Sequence, residues 1–193
     1  MKRLKILLIT LAVFFSALSP IFAQEKKLTP TPSPSVVLAS PTPPPNYILP
    51  FPGILPDHPL YILKIARDRI VIFLTRDPLE KIELKHHLAD KRLIMGKTLV
   101  EKGKVELGAT TISKGEKYLL EAISDTRKFQ TIVPDADRSI LERLMAASMK
   151  HEEIIGILVN NASLKERAAL ELSYQLAQEA RKETVMMKQE RGK

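Results

Sequence analysis

Three observations predict an all-α fold, a bundle of four to five antiparallel helices. The second half of the chain is dominated by Leu, Ile, Ala, Lys, Arg and Glu, residues that lose little on entering a helix. Apolar residues recur there at three- and four-residue intervals, the signature of a face that repeats every 3.6 residues. The periodic stretches are separated by short breaks that carry helix stops and starts, such as Gly103, Asp77-Pro78 and Asn161-Ala162-Ser163.

Ahead of the periodic region stand two segments of different character. Residues 1–23 have the three parts of an export signal: Lys2, Arg3 and Lys5 as the charged start, Ile6 to Phe15 as the apolar core, and Pro20 followed by Ala23 as the cleavage end. Cleavage is expected between Ala23 and Gln24. The competing reading is an uncleaved anchor, since the apolar run from Leu4 to Phe22 is about long enough to span a bilayer. Residues 24–53 read as a disordered tether, in which Pro30, Pro32, Pro34, Pro41, Pro43, Pro44, Pro45 and Pro50 alternate with Thr, Ser and other small residues. Proline has no amide donor and a fixed φ, so such a segment favours extended polyproline II over helix or sheet. Residues 54–193 remain as the helical domain.

The first helix is expected to start at Asp57, with the carboxylate as cap and Pro59 in the first turn. Leu60, Leu63, Ala66, Ile70 and Phe73 form its predicted inward stripe. The run Ile70-Val71-Ile72-Phe73-Leu74 is apolar all round, which means burial among several neighbours or an exposed patch that recruits a partner. Asp77-Pro78-Leu79-Glu80 is a capping box that opens a second helix. That helix carries two stripes, Ile82, Ala89, Leu93 and Val100 on one face and Leu84, Leu88, Met95 and Leu99 on another, so it is expected to touch two neighbours. Gly103 ends it.

A third helix is expected over 104–130, with Ala109, Ile112, Leu119 and Ile123 inward and a frayed or delayed start because of Gly108, Thr110, Thr111 and Gly115. Residues 131–137 hold Pro134 and read as a loop. The fourth helix places Ile140, Leu144, Ala147, His151, Ile155 and Leu158 on one face. Ser163-Leu164-Lys165-Glu166 opens a fifth helix with Ala169, Leu172, Leu176 and Ala180 as its predicted inward stripe and a fraying end from Lys188.

The order of certain pieces resembles a known family. Pro56-x-x-Pro59-Leu60-Tyr61-x-Leu63-Lys64, Leu74-Thr75-x-Asp77-Pro78-x-x-Lys81, Glu83-Leu84 and Ala89-x-x-Arg92-Leu93 are similar to an uncharacterised helical domain-of-unknown-function family of exported bacterial envelope proteins. The likeness covers roughly Ile54 to Leu158. It implies an all-helical envelope domain and carries over no activity and no functional residues.

Composition and motifs bound the chemistry. The net charge of +8 falls to +5 without the three basic residues of the signal, and both signs alternate along the helices, a pattern of solvated faces rather than a nucleic-acid surface. There is no Cys, so disulfides, thiolate metal sites and thiol nucleophiles are excluded. Neither a nucleophile elbow nor a phosphate-binding glycine loop occurs, and no cofactor is expected. Adjacent carboxylates such as Glu152 and Glu153 point apart on a helix.

The one metal-like spacing is Glu83-x-x-His86, an i, i+3 pair of the kind used in di-iron bundles. Its second half is lacking: His151 is preceded at −3 by Ser148. His86 and His151 both fall on apolar faces and could approach one another inside the bundle; each is expected to be a buried or half-buried imidazole hydrogen-bonded to a neighbour or, in the alternative reading, a metal ligand of a metal-binding or stress-sensing protein. His87 reads as a surface partner of Glu83, and His58 as exposed. Met145, Met149, Met186 and Met187 suggest core methionine over copper handling. Asn161-Ala162-Ser163 matches a glycosylation sequon but is better placed to end one helix and start the next. The resulting expectation is an exported, non-enzymatic interaction or structural module. Its partner would be a protein or cell-wall component, with Ile70, Val71, Ile72, Phe73 and Leu74 as the contact candidates and membrane attachment only through an uncleaved signal.

Overall fold

The computed structural model describes residues 47–133 and 138–191, so the expected signal, most of the expected tether and the centre of the 131–137 loop lie outside the described residues. The described chain is a segment without regular secondary structure, residues 47–60, that ends in turns and is followed by five helices: α1 (Tyr61–Leu74), α2 (Pro78–Glu101), α3 (Val105–Ile132), α4 (Arg138–Asn161) and α5 (Leu164–Arg191). No strand occurs among the described residues.

Local chemistry sets most of the boundaries. Asp77 accepts a hydrogen bond from the Glu80 amide at 2.8 Å, and Pro78 occupies the first helical position of α2. At the other end Gly103 takes φ 75°, a left-handed conformation that L side chains resist, and the chain reverses into α3 within three residues. Glu166 accepts from the Ser163 amide at 2.8 Å at the start of α5.

The helices form two antiparallel hairpins, α2–α3 and α4–α5. α4 lies over the groove between α2 and α3, and α5 packs on α3 and α4. Across the hairpins the neighbours run parallel: Glu83 and Asp90 of α2 meet Arg143 and His151 of α4, while Ala109 and Arg127 of α3 meet Ser173 and Glu183 of α5. The core sits between the hairpins, with Ile82, Leu93, Leu99, Ile112, Leu119, Leu144, Ile155 and Leu170 fully enclosed. Both expected faces of α2 pack: Ile82, Leu88, Ala89, Leu93, Met95 and Leu99 are buried. Met149 and Met187 are buried core residues.

The Gly- and Thr-rich start of α3 does not fray. The helix is continuous from Val105, and its glycines bring the α2 and α3 backbones into direct contact. A Cβ on Gly96 would stand 2.6 Å from the Gly108 carbonyl oxygen, and one on Gly108 would stand 2.7 Å from that of Gly96. Gly115 faces the Ala89 carbonyl in the same way, at 3.1 Å. Ala89 and Gly96, like Gly108 and Gly115, are seven residues apart, so each helix repeats its small residue on the facing side. The helix propensity lost at these glycines is outweighed by the backbone contact they permit.

Two expected faces are turned. α5 buries Leu170, Ser173, Ala177, Ala180, Thr184 and Met187 in place of the Ala169–Leu172–Leu176 stripe, and Leu172 is exposed. Small side chains let α5 sit close to its neighbours. Ser173 bonds Ser113 at 2.8 Å and the Ala109 carbonyl at 3.0 Å, and Thr184 meets Ser148 at 3.1 Å. α1 starts at Tyr61 after a turn instead of at Asp57, and no side chain caps it. Asp57 is engaged elsewhere: it accepts from Lys104 at 2.7 Å, tying the turn before α1 to the α2–α3 connection.

Tyr47 and Leu49 fall in the span expected as tether, yet both pack on the helical body, Tyr47 against the core cluster that contains Ile82 and Leu144 and Leu49 against the one that contains Leu93 and Ile155. The ordered body therefore starts several residues before position 54.

Candidate functional site

α1 is amphipathic in the inverse sense to the one expected. Tyr61, Lys64, Ile65, Asp68 and Ile72 face the bundle, whereas the predicted inward residues face out: Leu60 is 52% exposed, Leu63 63%, Ile70 57% and Phe73 84%, and Leu74 beside them is 65% exposed. At 100° per residue, Ile62, Ala66, Ile70, Phe73, Leu63 and Leu74 fall within about 120° of one another, a single apolar face. Of the five contact candidates, Ile70, Val71, Phe73 and Leu74 stand on the surface and Ile72 turns toward α2. The inner face explains the inversion. Lys64 lies over the Tyr61 ring and donates to Met95 Sδ at 3.5 Å, and Asp68 is buried against Arg67 at 2.8 Å. Polar groups with aliphatic stems fill the seam with α2, and the apolar stripe is left uncovered.

The second concentration of chemistry is buried. His151 of α4 places Nε2 2.9 Å from Asp90 of α2 and Nδ1 2.7 Å from Glu116 of α3. Both acceptors are carboxylates, so both ring nitrogens carry hydrogen and the imidazole is a cation. Burial alone would push its pKa down. The field of Glu116 and the hydrogen bonds to Asp90 and Glu116 outweigh burial and raise it to about 10. The converse holds for Asp90, where burial raises the pKa and His151 lowers it further, leaving it below the usual value. One carboxylate oxygen of Glu116, Oε2, is buried with no protein partner.

Tyr47 closes this cluster on its outer side. Its hydroxyl donates to Asp90 at 2.7 Å and lies 2.6 Å from His86 Nε2. A phenol has one proton, here given to Asp90, so the His86 nitrogen is the donor to the phenol oxygen. Burial holds His86 below its ordinary pKa, which keeps it neutral. Burial and the Asp90 charge push the Tyr47 phenol up. Replacing Tyr47 with Phe removes a hydrogen bond to a charged acceptor and should cost about 1.5–3 kcal/mol, measured as a lower midpoint in urea unfolding with an unchanged slope.

His86 and His151 do not bond one another; Asp90 lies between them and touches both. Glu83 does not join them. It is exposed and accepts from Arg143 at 2.6 Å, and that bond takes the place of the expected pairing with His87. With both nitrogens of His151 bound to carboxylates, no lone pair is left for a metal. Among the described residues no group of three His, Asp or Glu side chains is placed to hold one. Asp90 and Glu116 carried a signal that sequence reading passed over: Asp90 is one turn from His86, and Glu116 interrupts the buried Ile112–Leu119–Ile123 stripe of α3.

The fold and these two features define an all-α bundle with a buried ion cluster and an uncovered amphipathic helix. Residues 53–191 match the family DUF5667, a domain of unknown function, and the chain belongs to that family. No curated protein and no solved structure matches it. Among the described residues no helix is long and apolar enough to cross a membrane.

Proposed function

We propose that the chain is an exported, envelope-associated helical module without enzymatic activity, which binds another protein or a cell-wall component through the outer face of α1. The observation that carries this reading is the contiguous apolar face formed by Leu63, Ile70, Phe73 and Leu74 on a helix that meets only α2 among its neighbours. Apolar patches of this kind on otherwise well-packed domains mark interaction sites. Export is supported by the sequence: a charged start, an apolar core and a small residue at Ala23, followed by a proline-rich spacer of the composition that holds a domain away from a surface.

The test is crosslinked pull-down or proximity labelling from the native envelope, with the wild-type chain and with the double variant Ile70→Lys/Phe73→Lys. Both positions are exposed, so the variant should unfold within about 0.5 kcal/mol of wild type. It should lose the captured protein or wall fragment. An identical capture pattern from both chains, or a cytoplasmic location of the wild type, would overturn the proposal.

A further inference from the structure

A second surface of α1 borders a different kind of space. Between α1, α2 and α3 lies an open cavity of about 360 Å³ into which four cationic side chains project: Arg69 of α1, Arg92 of α2, and Lys114 and Lys117 of α3. Only one acid, Glu121, lines it, and that carboxylate is already bound to Lys85 at 3.0 Å. Among the described residues none of the four cations makes an ion pair or a side-chain hydrogen bond.

Arg92 is the decisive group. The residue as a whole is 8% exposed, yet none of its nitrogens is enclosed without a partner, so its charged end keeps access to the cavity, where no carboxylate meets it. Its guanidinium carbon lies 4.5 Å from the centre of the Tyr118 ring, a cation–π contact at the cavity wall. A guanidinium placed there with no carboxylate partner leaves its donors available to an anion. Lys64, on the same seam, is held down to about 8 chiefly by burial; Asp68 opposes that shift, and the cations Lys91, Arg67 and Arg92 add to it. The remaining wall combines Tyr61, Ile65 and Leu107 with the hydroxyl residues Thr110 and Thr111, so the cavity suits an anionic group attached to a less polar body.

We propose that this cavity binds a phosphate group, as a free phosphate ester or as the headgroup of an anionic phospholipid, and that the bound anion ties α1 to the α2–α3 hairpin. Four cations against one neutralised acid match the charge of a phosphate better than that of a single carboxylate. A planar guanidinium offers phosphate two parallel donors, which the two lysines supplement as point charges. The proposal concerns the inner side of α1 and is independent of what its outer face contacts.

The experiment measures binding of the full chain to inorganic phosphate, to glycerol phosphate, and to phosphatidylglycerol vesicles against neutral phosphatidylcholine vesicles. Thermal stability is followed in the soluble arms. Binding in a soluble arm, seen as a midpoint that rises with ligand concentration, assigns the site to the phosphate itself. Binding to the anionic vesicles alone assigns it to the headgroup. The Lys114→Gln/Lys117→Gln variant alters only exposed residues and should weaken whichever binding is found by about 10-fold or more, as should Arg92→Gln. A charge-matched control, Lys97→Gln/Lys102→Gln, lies outside the cavity and should leave affinity within about 2-fold. Absence of binding in every arm overturns the proposal, as does an equal loss in the control, which would make the attraction one of bulk charge.

Discussion

Replacing His151 with Ala should destabilise the protein by about 3–5 kcal/mol, more than any other single substitution named above. The imidazolium is fully buried between Asp90 and Glu116. Its removal leaves two carboxylates enclosed without a counter-charge, along with a cavity where the ring stood. The cost is thus dominated by what remains behind, and a double variant tests this. Glu116→Leu/His151→Leu removes the charge pair together and leaves only Asp90, which keeps its bond to Tyr47. It should cost less than His151→Ala alone, and chemical denaturation of both variants decides the point.

The same cluster sets a pH dependence. The folded pKa of His151, about 10, lies above the unfolded value of 6.5. Its contribution is therefore fully present below about pH 6.5 and is lost as pH rises through about 10. Lys64, held down to about 8, acts in the opposite sense but is common to wild type and variant. His86, held below 6.5, titrates on the acid side of this window. The difference in unfolding free energy between wild type and His151→Ala should consequently shrink between about pH 6.5 and 10. A constant difference across that range would show that His151 is not held as a cation.

Gly96→Ala should be damaging against the sign of its helix propensity. In an exposed helix the substitution would stabilise by about 1 kcal/mol. Here the added methyl would meet the Gly108 carbonyl oxygen at 2.6 Å, and it also strikes the Ile112 side chain. A backbone oxygen in a packed hairpin has nowhere to rotate, so α2 and α3 must separate along their length. Overpacking of this kind costs about 1–3 kcal/mol and outweighs the propensity gain. A midpoint lower by several degrees is expected in thermal unfolding, with helical content unchanged. Gly103→Ala is an informative contrast: nothing lies within 4 Å of its Cβ, so any loss there comes from the left-handed φ alone.

Sequence patterning located the helices because apolar spacing and caps are local properties. Asp77, Pro78, Gly103 and Ser163 act on their own turn of chain, and each ends or begins a helix as its chemistry requires. The faces of α2 and α4 were legible for a similar reason, since a long apolar stripe on a central helix has only one place to go. α1 was misread because the rule that apolar residues point inward holds only where there is a core to receive them. This helix lies outside the bundle and meets α2 through Lys64 and Asp68. α5 was misread because Ser173, Ala177 and Thr184 are chosen for size, and hydropathy does not register closeness of approach. The ion cluster escaped because Asp90 and Glu116 look like surface residues until three helices are brought together around His151. Tyr47 lay in a stretch whose prolines argued for disorder, and a single aromatic anchor leaves no periodic trace.

The anchoring of Tyr47 also decides how the domain would carry mechanical load. A pull applied to the chain ahead of residue 47 reaches the Tyr47 hydroxyl and passes through Asp90 directly into α2. The intervening residues 48–77, α1 included, form a loop between that clamp and the start of α2, held at Leu49 and at the Asp57–Lys104 ion pair. While the clamp holds, α1 bears no tension. Once it gives way, force shifts past Leu49 to the Asp57–Lys104 pair and the lightly held α1, so the domain would lengthen in steps, with α1 yielding before the four-helix body.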